Sequence, residues 1–375
     1  MFTALFLFVI LSCSKDSTPS DVNIDISLGE NGMVTVVAKA NGANSYRFSF
    51  EDNSVYDSTS NTYDYTYSNK GTYTIGVWAF FDDQKTSYSF ASKDVEITNA
   101  TGESTNGGLL DLSETVTEYP GYDLVWNDEF NYDGAPLDSR WHLQYKPIDC
   151  DGNCWANGED QHYTTRRDNS YVSDGTLKIV AKRERYTYSG NTKQFTSARL
   201  NSKFDMRYGR IDVRAKLPSK GGTWPAIWTL GTNINELGNY HGSTDGNVGW
   251  PRCGEIDIME QRGDRKNEIL GTFHWGNTQY PHDYAWHGDT KSISQLGISS
   301  VTSNFHLYSL VWTSSSLKVY VDNKPLASLT NNGAVPFDNP HYLLLNIAMG
   351  GDLGDPIPSS FDQDVMEIDY VRFYQ

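Results

Sequence analysis

Residues 254–260 read Gly-Glu-Ile-Asp-Ile-Met-Glu and set three carboxylates, Glu255, Asp257 and Glu260, among apolar neighbours. On a regular strand successive side chains alternate faces, so Glu255 and Asp257 share one face and Glu260 points to the other. A β-bulge at Ile258-Met259 adds one residue to the count and returns Glu260 to the face of the other two. Acids aligned in this way can cleave a glycosidic bond. One carboxylate attacks the anomeric carbon while a second, about 5–5.5 Å away, protonates the departing oxygen and later activates water. The third, Asp257, can hydrogen-bond to Glu255, and like charges so close raise at least one pKa toward the range of a working acid. The triplet can also be read as a metal site or a solvated acidic strand. Ca²⁺ sites, however, draw on loop carbonyls and Asn/Asp-rich turns rather than apolar-flanked strand positions. Trp224 and Trp228, in Thr-Trp-Pro-Ala-Ile-Trp, share a face by even spacing. They suit either a core stripe or flat platforms for the apolar faces of sugar rings.

Such groups must be positioned by sheet. Aromatics make up 13% of the chain, with 10 Trp and 24 Tyr, and β-branched and aromatic runs recur between Gly, Asn, Asp and Ser clusters. Helix-period stretches are scarce, so a nearly all-β protein is expected. At 375 residues there is room for two domains. A formal charge of −17 and a sequence pI near 4.8 argue against nucleic acid and anionic membrane surfaces as partners. They disfavour an anionic substrate and leave a neutral one open.

The first residues form a short apolar run ending in Ser12-Cys13, too short to span a bilayer and suited to a signal-peptide core, although no basic segment precedes it. Ile10-Leu11-Ser12-Cys13 resembles a bacterial lipobox, which implies cleavage and lipidation at Cys13 followed by a polar tether; an ordinary secretion signal is the other reading. Cys150 and Cys154, in Cys-Asp-Gly-Asn-Cys, can close a small disulfide loop in an oxidising compartment or remain thiols. A metal pair there lacks a second Cys/His pair nearby, and Cys253 is left over.

Residues 1–20 are thus read as signal and tether, 21–98 as a small β-sandwich, 99–119 as a linker and 120–375 as a large sandwich. Within the first sandwich, Tyr46-Arg-Phe-Ser-Phe-Glu-Asp-Asn-Ser and the run from Tyr63 to Ala79 resemble the PKD family of Ig-like modules. Gly71-Thr72-Tyr73-Thr74-Ile75 matches that family's strand-opening motif, and Phe48-Ser49-Phe50-Glu51-Asp52 approximates its aspartate-bearing turn. The resemblance implies a spacer or a sugar-binding accessory. In the second sandwich, Asp322-Asn323 is a hairpin turn.

The large domain resembles glycoside hydrolase family 16, and within it the laminarinase-like β-1,3-glucanases. The markers are VWNDEF (125–130), ARLNSKFDMRYGRIDVRAKLP (198–218), GTWPAIWTLG (222–231), WPRCGEIDIMEQRG (250–263), TFHW (272–275) and MEIDYVRFYQ (366–375). The resemblance implies a concanavalin-like β-jelly roll with Glu255 as nucleophile, Asp257 as its supporting acid and Glu260 as general acid/base. His274 matches the family histidine near the acid/base. Trp224 and Trp228 become sugar platforms on the non-reducing side of the cut, with Trp250 close by. Arg199, Asn157 and Glu159 match polar cleft positions, and Asn346 is either a further sugar contact or the partner of a buried backbone group. No cofactor for catalysis is implied. A structural calcium on the convex face would be held by Glu129, the Gly175 carbonyl and Asp369.

The expected protein is therefore a monomeric secreted bacterial lipoprotein of the outer membrane, cell surface or periplasm. It acts on neutral β-glucan, binds no nucleic acid and meets the membrane only through its anchor. Other readings are a mixed-linkage β-1,3-1,4-glucanase, an agarase or a porphyranase on the same fold, a non-catalytic glucan-binding surface protein, or an adhesion role for the PKD-like module. Residues 233–250, rich in Gly and Asn, match no marker and are free to reshape the subsites.

Overall fold

The computed structural model describes residues 19–50, 55–67, 69–81, 88–100, 102–104, 119, 121–148, 154–241, 248–276, 284–332, 335 and 337–375. Met1–Val116 and Thr117–Gln375 form separate compact units. Cys13 and Cys150 lie outside the described residues, as do Glu51 and Asp52 of the aspartate-bearing turn.

The smaller unit pairs Ser20–Leu28, Met33–Asn41 and Thr62–Thr66 in one sheet. A second holds Val55–Ser58, Ser45–Ser49, Asn69–Phe80 and Tyr88–Ile97, with Gly102–Ser104 added beside Asn69–Phe80. Alternating residues such as Val34, Val36, Phe48, Ile75 and Val77 fill its core. This is an Ig-like sandwich, and Tyr73 and Ile75 of the expected strand-opening motif point into that core.

The larger unit is a jelly roll of two sheets. The front sheet runs in the order Trp141–Leu143, Arg199–Met206, His341–Met349, Thr223–Gly231, Glu255–Glu260, Glu268–Gly276, Tyr284–Ser292. We refer to Thr223–Gly231, Glu255–Glu260 and Glu268–Gly276 as the tryptophan, acidic and histidine strands. The ten-stranded back sheet runs from Gln161–Tyr163 through Thr176–Tyr188, Gln363–Tyr374 and Gly209–Lys216 to Lys324–Thr330. The expected hairpin turn is present: Asp322 and Asn323 take φ values of 46° and 59° between Ser316–Val321 and Lys324–Thr330.

Strand His341–Met349 shows what the front sheet carries on each side. All nine of its residues are buried. Leu343, Leu345, Ile347 and Met349 enter the main core between the sheets. Tyr342 and Leu344 belong instead to a small second core with Leu230, Ile234 and Cys253, against which Val248 packs. One end of the front sheet is thus covered by residues of the 233–250 segment. Burial on both faces is why this strand reads as a nearly continuous apolar run.

Candidate active site

Strand register settles the question of the third acid. Along the tryptophan strand, Leu230, Trp228 and Ala226 stand opposite Glu255, Asp257 and Glu260. Along the histidine strand the partners are His274, Thr272 and Leu270. Both neighbours advance by twos while the acidic strand advances once by two and once by three, so a bulge lies between Asp257 and Glu260. Its inward residues are consecutive: Ile258 and Met259 are both fully buried in the main core. A regular strand would turn Met259 out and drive the Glu260 carboxylate inward. Burying an unpaired carboxylate costs several kcal/mol, and each apolar side chain kept inside contributes about 1.5–3 kcal/mol. The bulge is therefore the low-energy register for this sequence.

The two outer carboxylates each meet an indole donor. Trp250 Nε1 donates to Glu255 Oε2 at 3.0 Å, and Trp224 Nε1 donates to Glu260 Oε1 at 2.9 Å. His274 Nε2 lies 3.1 Å from Asp257 Oδ2 and 3.9 Å from Glu255 Oε1. The hydrogen bond expected between Asp257 and Glu255 is not formed; the imidazole lies near both, and Asp257 Oδ2 is buried without a hydrogen-bond partner among the described residues. His274 was expected beside Glu260, but it faces Glu255 directly across the ladder. Its Nδ1 is 2.7 Å from the hydroxyl of Tyr284, which fixes the ring from behind. Burial first, then the neighbouring charges Asp257 and Glu260, pushes Glu255 well above the ordinary carboxylate range. Burial and Glu260 do the same to Asp257. Burial raises Glu260 too, opposed by the Trp224 hydrogen bond, His274 and Arg262.

On the other side of the tryptophan strand a hydrogen-bonded relay runs across the sheet. Trp228 Nε1 donates to Asn346 Oδ1 at 2.7 Å, Asn346 Nδ2 to the Tyr163 hydroxyl at 3.0 Å, and that hydroxyl to Glu159 Oε2 at 3.2 Å. Gln161 Nε2 also donates to Glu159, at 2.6 Å. Asn346 is buried and its amide is satisfied by side chains, so it orients Trp228 rather than a backbone group. Asn157 is exposed at the turn of Ala156–Gly158 with φ 58°.

Arg199 requires correction. Its guanidinium is buried, ion-paired through Nη2 to Glu236 Oε1 at 2.7 Å, with both side chains almost fully enclosed. It also lies 4.9 Å from the Trp228 ring and 5.5 Å from the Trp155 ring. A charge so engaged is an anchor under Trp228, not a free donor to sugar hydroxyls. Glu236 accepts further bonds from Gln144 and Asn239, and His142 Nε2 meets Gly238 O at 2.8 Å. This segment is tied down against the sheet at several points.

Trp224 is only 8% exposed and closes the floor beside Glu260, whereas Trp250, Tyr284 and Trp286 are 51%, 48% and 62% exposed. Tyr284, Trp286, Tyr163 and Glu236 were missed from sequence. Tyr284 and Trp286 announce themselves only through register, since His274 pairs with Trp286.

The expected calcium ligands do not fit the ion as arranged. Both Glu129 oxygens accept from Arg372, at 2.8 Å each, and Asp369 Oδ2 is 2.7 Å from Arg214. Gly175 sits in the turn between Ser170–Ser173 and Thr176–Tyr188 with φ 72°. Calcium needs about six to eight oxygens, and three of those that these residues offer already accept from guanidinium groups. Cys154 is disulfide-bonded, and Cys253 is a free buried thiol whose pKa burial pushes up. Glu255, Asp257 and His274 could also chelate a metal by proximity. Trp250 on Glu255 and the raised proton affinities suit proton traffic better than a ligand set.

Comparison with known proteins agrees with this geometry. The family model of the glycosyl hydrolases of family 16 matches residues 157–372, more than half of the chain. Glucan endo-1,3-beta-glucosidase A1 of Niallia circulans is 36% identical over 276 residues, covering 68% of this chain but 38% of that protein. A beta-glucanase of Rhodothermus marinus is 35% identical over 70% of this chain and 88% of its own length. The crystal structure of the LamA catalytic domain from Zobellia galactanivorans aligns with a TM-score of 0.64 and 53% identity, covering 67% of this chain and 97% of that one. A variant of LamA was crystallised with laminaritriose and laminaritetraose (TM-score 0.64, 52% identity, 67% of this chain and 98% of that chain).

Proposed function

The chain belongs to the glycosyl hydrolases of family 16, and from that premise we propose that it is a retaining endo-β-1,3-glucanase acting on laminarin-type glucan. The observation that carries the reading is the register: Glu255, Asp257 and Glu260 occupy successive positions of one face, with indole donors on the two outer acids. The exposed rings of Trp250, Tyr284 and Trp286 offer stacking surfaces for neutral sugars on one side, and Trp228 offers another on the far side of the acids. The relatives named for endo-1,3-β-glucan cleavage and the laminari-oligosaccharide complex support that substrate.

Glu255 attacks the anomeric carbon as the glycosidic bond breaks, and Glu260 passes its proton to the leaving oxygen. Water then attacks the glycosyl-enzyme, Glu260 takes the water's proton and Glu255 is released. Trp250 and His274 favour the charged form of Glu255 that attack requires. Burial raises the proton affinity of Glu260, the direction that proton donation in the first step requires. Asp257 has no indole donor, and its Oδ2 is without a hydrogen-bond partner among the described residues. Burial and Glu260 raise its proton affinity well above the ordinary carboxylate range.

Digestion of laminarin tests this directly. Wild type should release short oligosaccharides whose new reducing ends appear first as the β anomer, and Glu255→Ser should release none. Binding without any new reducing ends from the wild type would establish a glucan-binding protein instead, and preference for agarose or mixed-linkage glucan would move the substrate. We also infer an N-terminal lipid anchor at Cys13 holding a PKD-like spacer and a monomeric enzyme outside the cytoplasm; the lipobox-like residues and the Ig-like sandwich support it. Palmitate labelling lost in Cys13→Ala is its test.

A further inference from the structure

A half-buried lysine stands behind the acid end of the catalytic strand. Lys266 lies in the turn between the acidic and histidine strands, and its Nζ meets Thr223 Oγ1 at 2.7 Å, Thr223 O at 3.0 Å and Gln261 Oε1 at 3.3 Å. The polarity of these bonds is fixed by their neighbours. Thr223 Oγ1 spends its own proton on Lys220 O at 2.8 Å, and Gln261 Nε2 donates to Lys266 O at 2.9 Å. Both side chains therefore turn lone pairs toward the lysine. Three acceptors match the three protons of an ammonium, and a neutral amine has only two.

Position in the chain gives this knot its meaning. Thr223 immediately precedes Trp224, Gln261 immediately follows Glu260, and both are fully buried. Trp224 and Glu260 are themselves joined at 2.9 Å, and Gln261 N donates to Pro225 O. We propose that Lys266 is a positioning residue for glycosidic cleavage, tying the end of the acidic strand to the start of the tryptophan strand so that Glu260 stays aimed at the leaving oxygen. The proposal rests on Glu260 acting as the acid/base. Burial pushes the lysine down to about 8, opposed by Asp364 of the C-terminal strand and Asp264 of its own turn. The third bond is lost in mildly alkaline solution, and with it part of the restraint.

A leaving group that needs no proton separates this role from a merely structural one. Wild type, Lys266→Met, Lys266→Arg and Glu260→Gln are assayed on laminarin and on 2,4-dinitrophenyl β-laminaribioside. Lys266→Met should lose about tenfold in kcat/KM on laminarin, the scale of a small misplacement of a reacting group, and stay within about twofold on the aryl glycoside. Lys266→Arg, permanently charged, should recover most of that activity and move the alkaline limb on laminarin to higher pH. Equal losses on both substrates, or no loss on laminarin, would overturn the proposal. If Lys266→Met does not fold, an unmoved alkaline limb in Lys266→Arg overturns it as well. Equal losses by Glu260→Gln on the two substrates would instead sink the acid/base assignment itself, whatever Lys266 does.

Discussion

Replacing Glu236 by leucine should destabilise the larger unit and weaken glucan binding without disabling the chemistry. The carboxylate is the ion-pair partner of Arg199, both side chains are almost wholly enclosed, and Arg199 Nε has no hydrogen-bond partner among the described residues. Removing Glu236 leaves a buried guanidinium between Trp155 and Trp228 without its ion-pair partner, Glu159 being the carboxylate that still acts on it. Breaking a buried pair from one side costs about 3–5 kcal/mol, whereas replacing both partners by apolar groups of similar volume is often close to neutral. For a domain of this size each kcal/mol shifts Tm by about 2–4 °C, so Glu236→Leu should lower Tm by about 6–20 °C. The double variant Arg199→Met/Glu236→Leu should recover most of that loss. Calorimetry reads both, with the transition of the larger unit identified by its upward shift on adding laminari-oligosaccharide.

Kinetics supply the second half of the test. Arg199 packs 4.9 Å from the Trp228 ring, while the nucleophile and acid stand on the adjacent strand. KM for laminarin should rise several-fold in Glu236→Leu and kcat should change little. A single variant within about 1 kcal/mol of wild type, or a double variant no more stable than the single, would refute the buried-anchor reasoning. A lower KM in Glu236→Leu would refute it in a more informative way, because it would mean that the freed Arg199 grips sugar.

Three further outcomes follow from the same geometry. Glu255→Gln should be inactive yet more stable than wild type at neutral pH. Its folded-state pKa is raised, so the wild-type carboxyl supports folding fully below its unfolded pKa of about 4.3 and progressively less as pH climbs through the folded value; thermal melts at pH 4 and pH 7 should show the advantage only at pH 7. Trp224→Phe removes the N–H that favours the charged form of Glu260, so the acid should hold its proton to higher pH; an infrared carboxyl titration, with Glu260→Gln as the reference, whose midpoint did not rise in Trp224→Phe would contradict this. Tyr284→Phe takes the hydroxyl from His274 Nδ1 and should lower kcat/KM by about three- to tenfold, the worth of one neutral hydrogen bond, which steady-state assays resolve.

What could be read from the sequence was what strand geometry alone determines. The bulge is legible because Ile258 and Met259 are consecutive apolar residues flanked by acids, and only a skipped count puts both inside while keeping Glu260 out. Trp224 and Trp228 share a face for the same period-two reason, and Asp322-Asn323 tolerates positive φ. Arg199 shows where this stops. An arginine that grips sugar and one that neutralises a buried glutamate have the same residue type and the same strand position; they differ only in what a distant loop lays over them. Glu236 lies in a segment whose Gly and Asn content speaks of turns and says nothing of its buried counter-charge. Lys266 and Tyr284 are likewise set by register and turn geometry, which bring them to Thr223 and His274 on other strands. Chemistry carried by one strand is therefore visible in a linear pattern, whereas the charges that tune it arrive from loops.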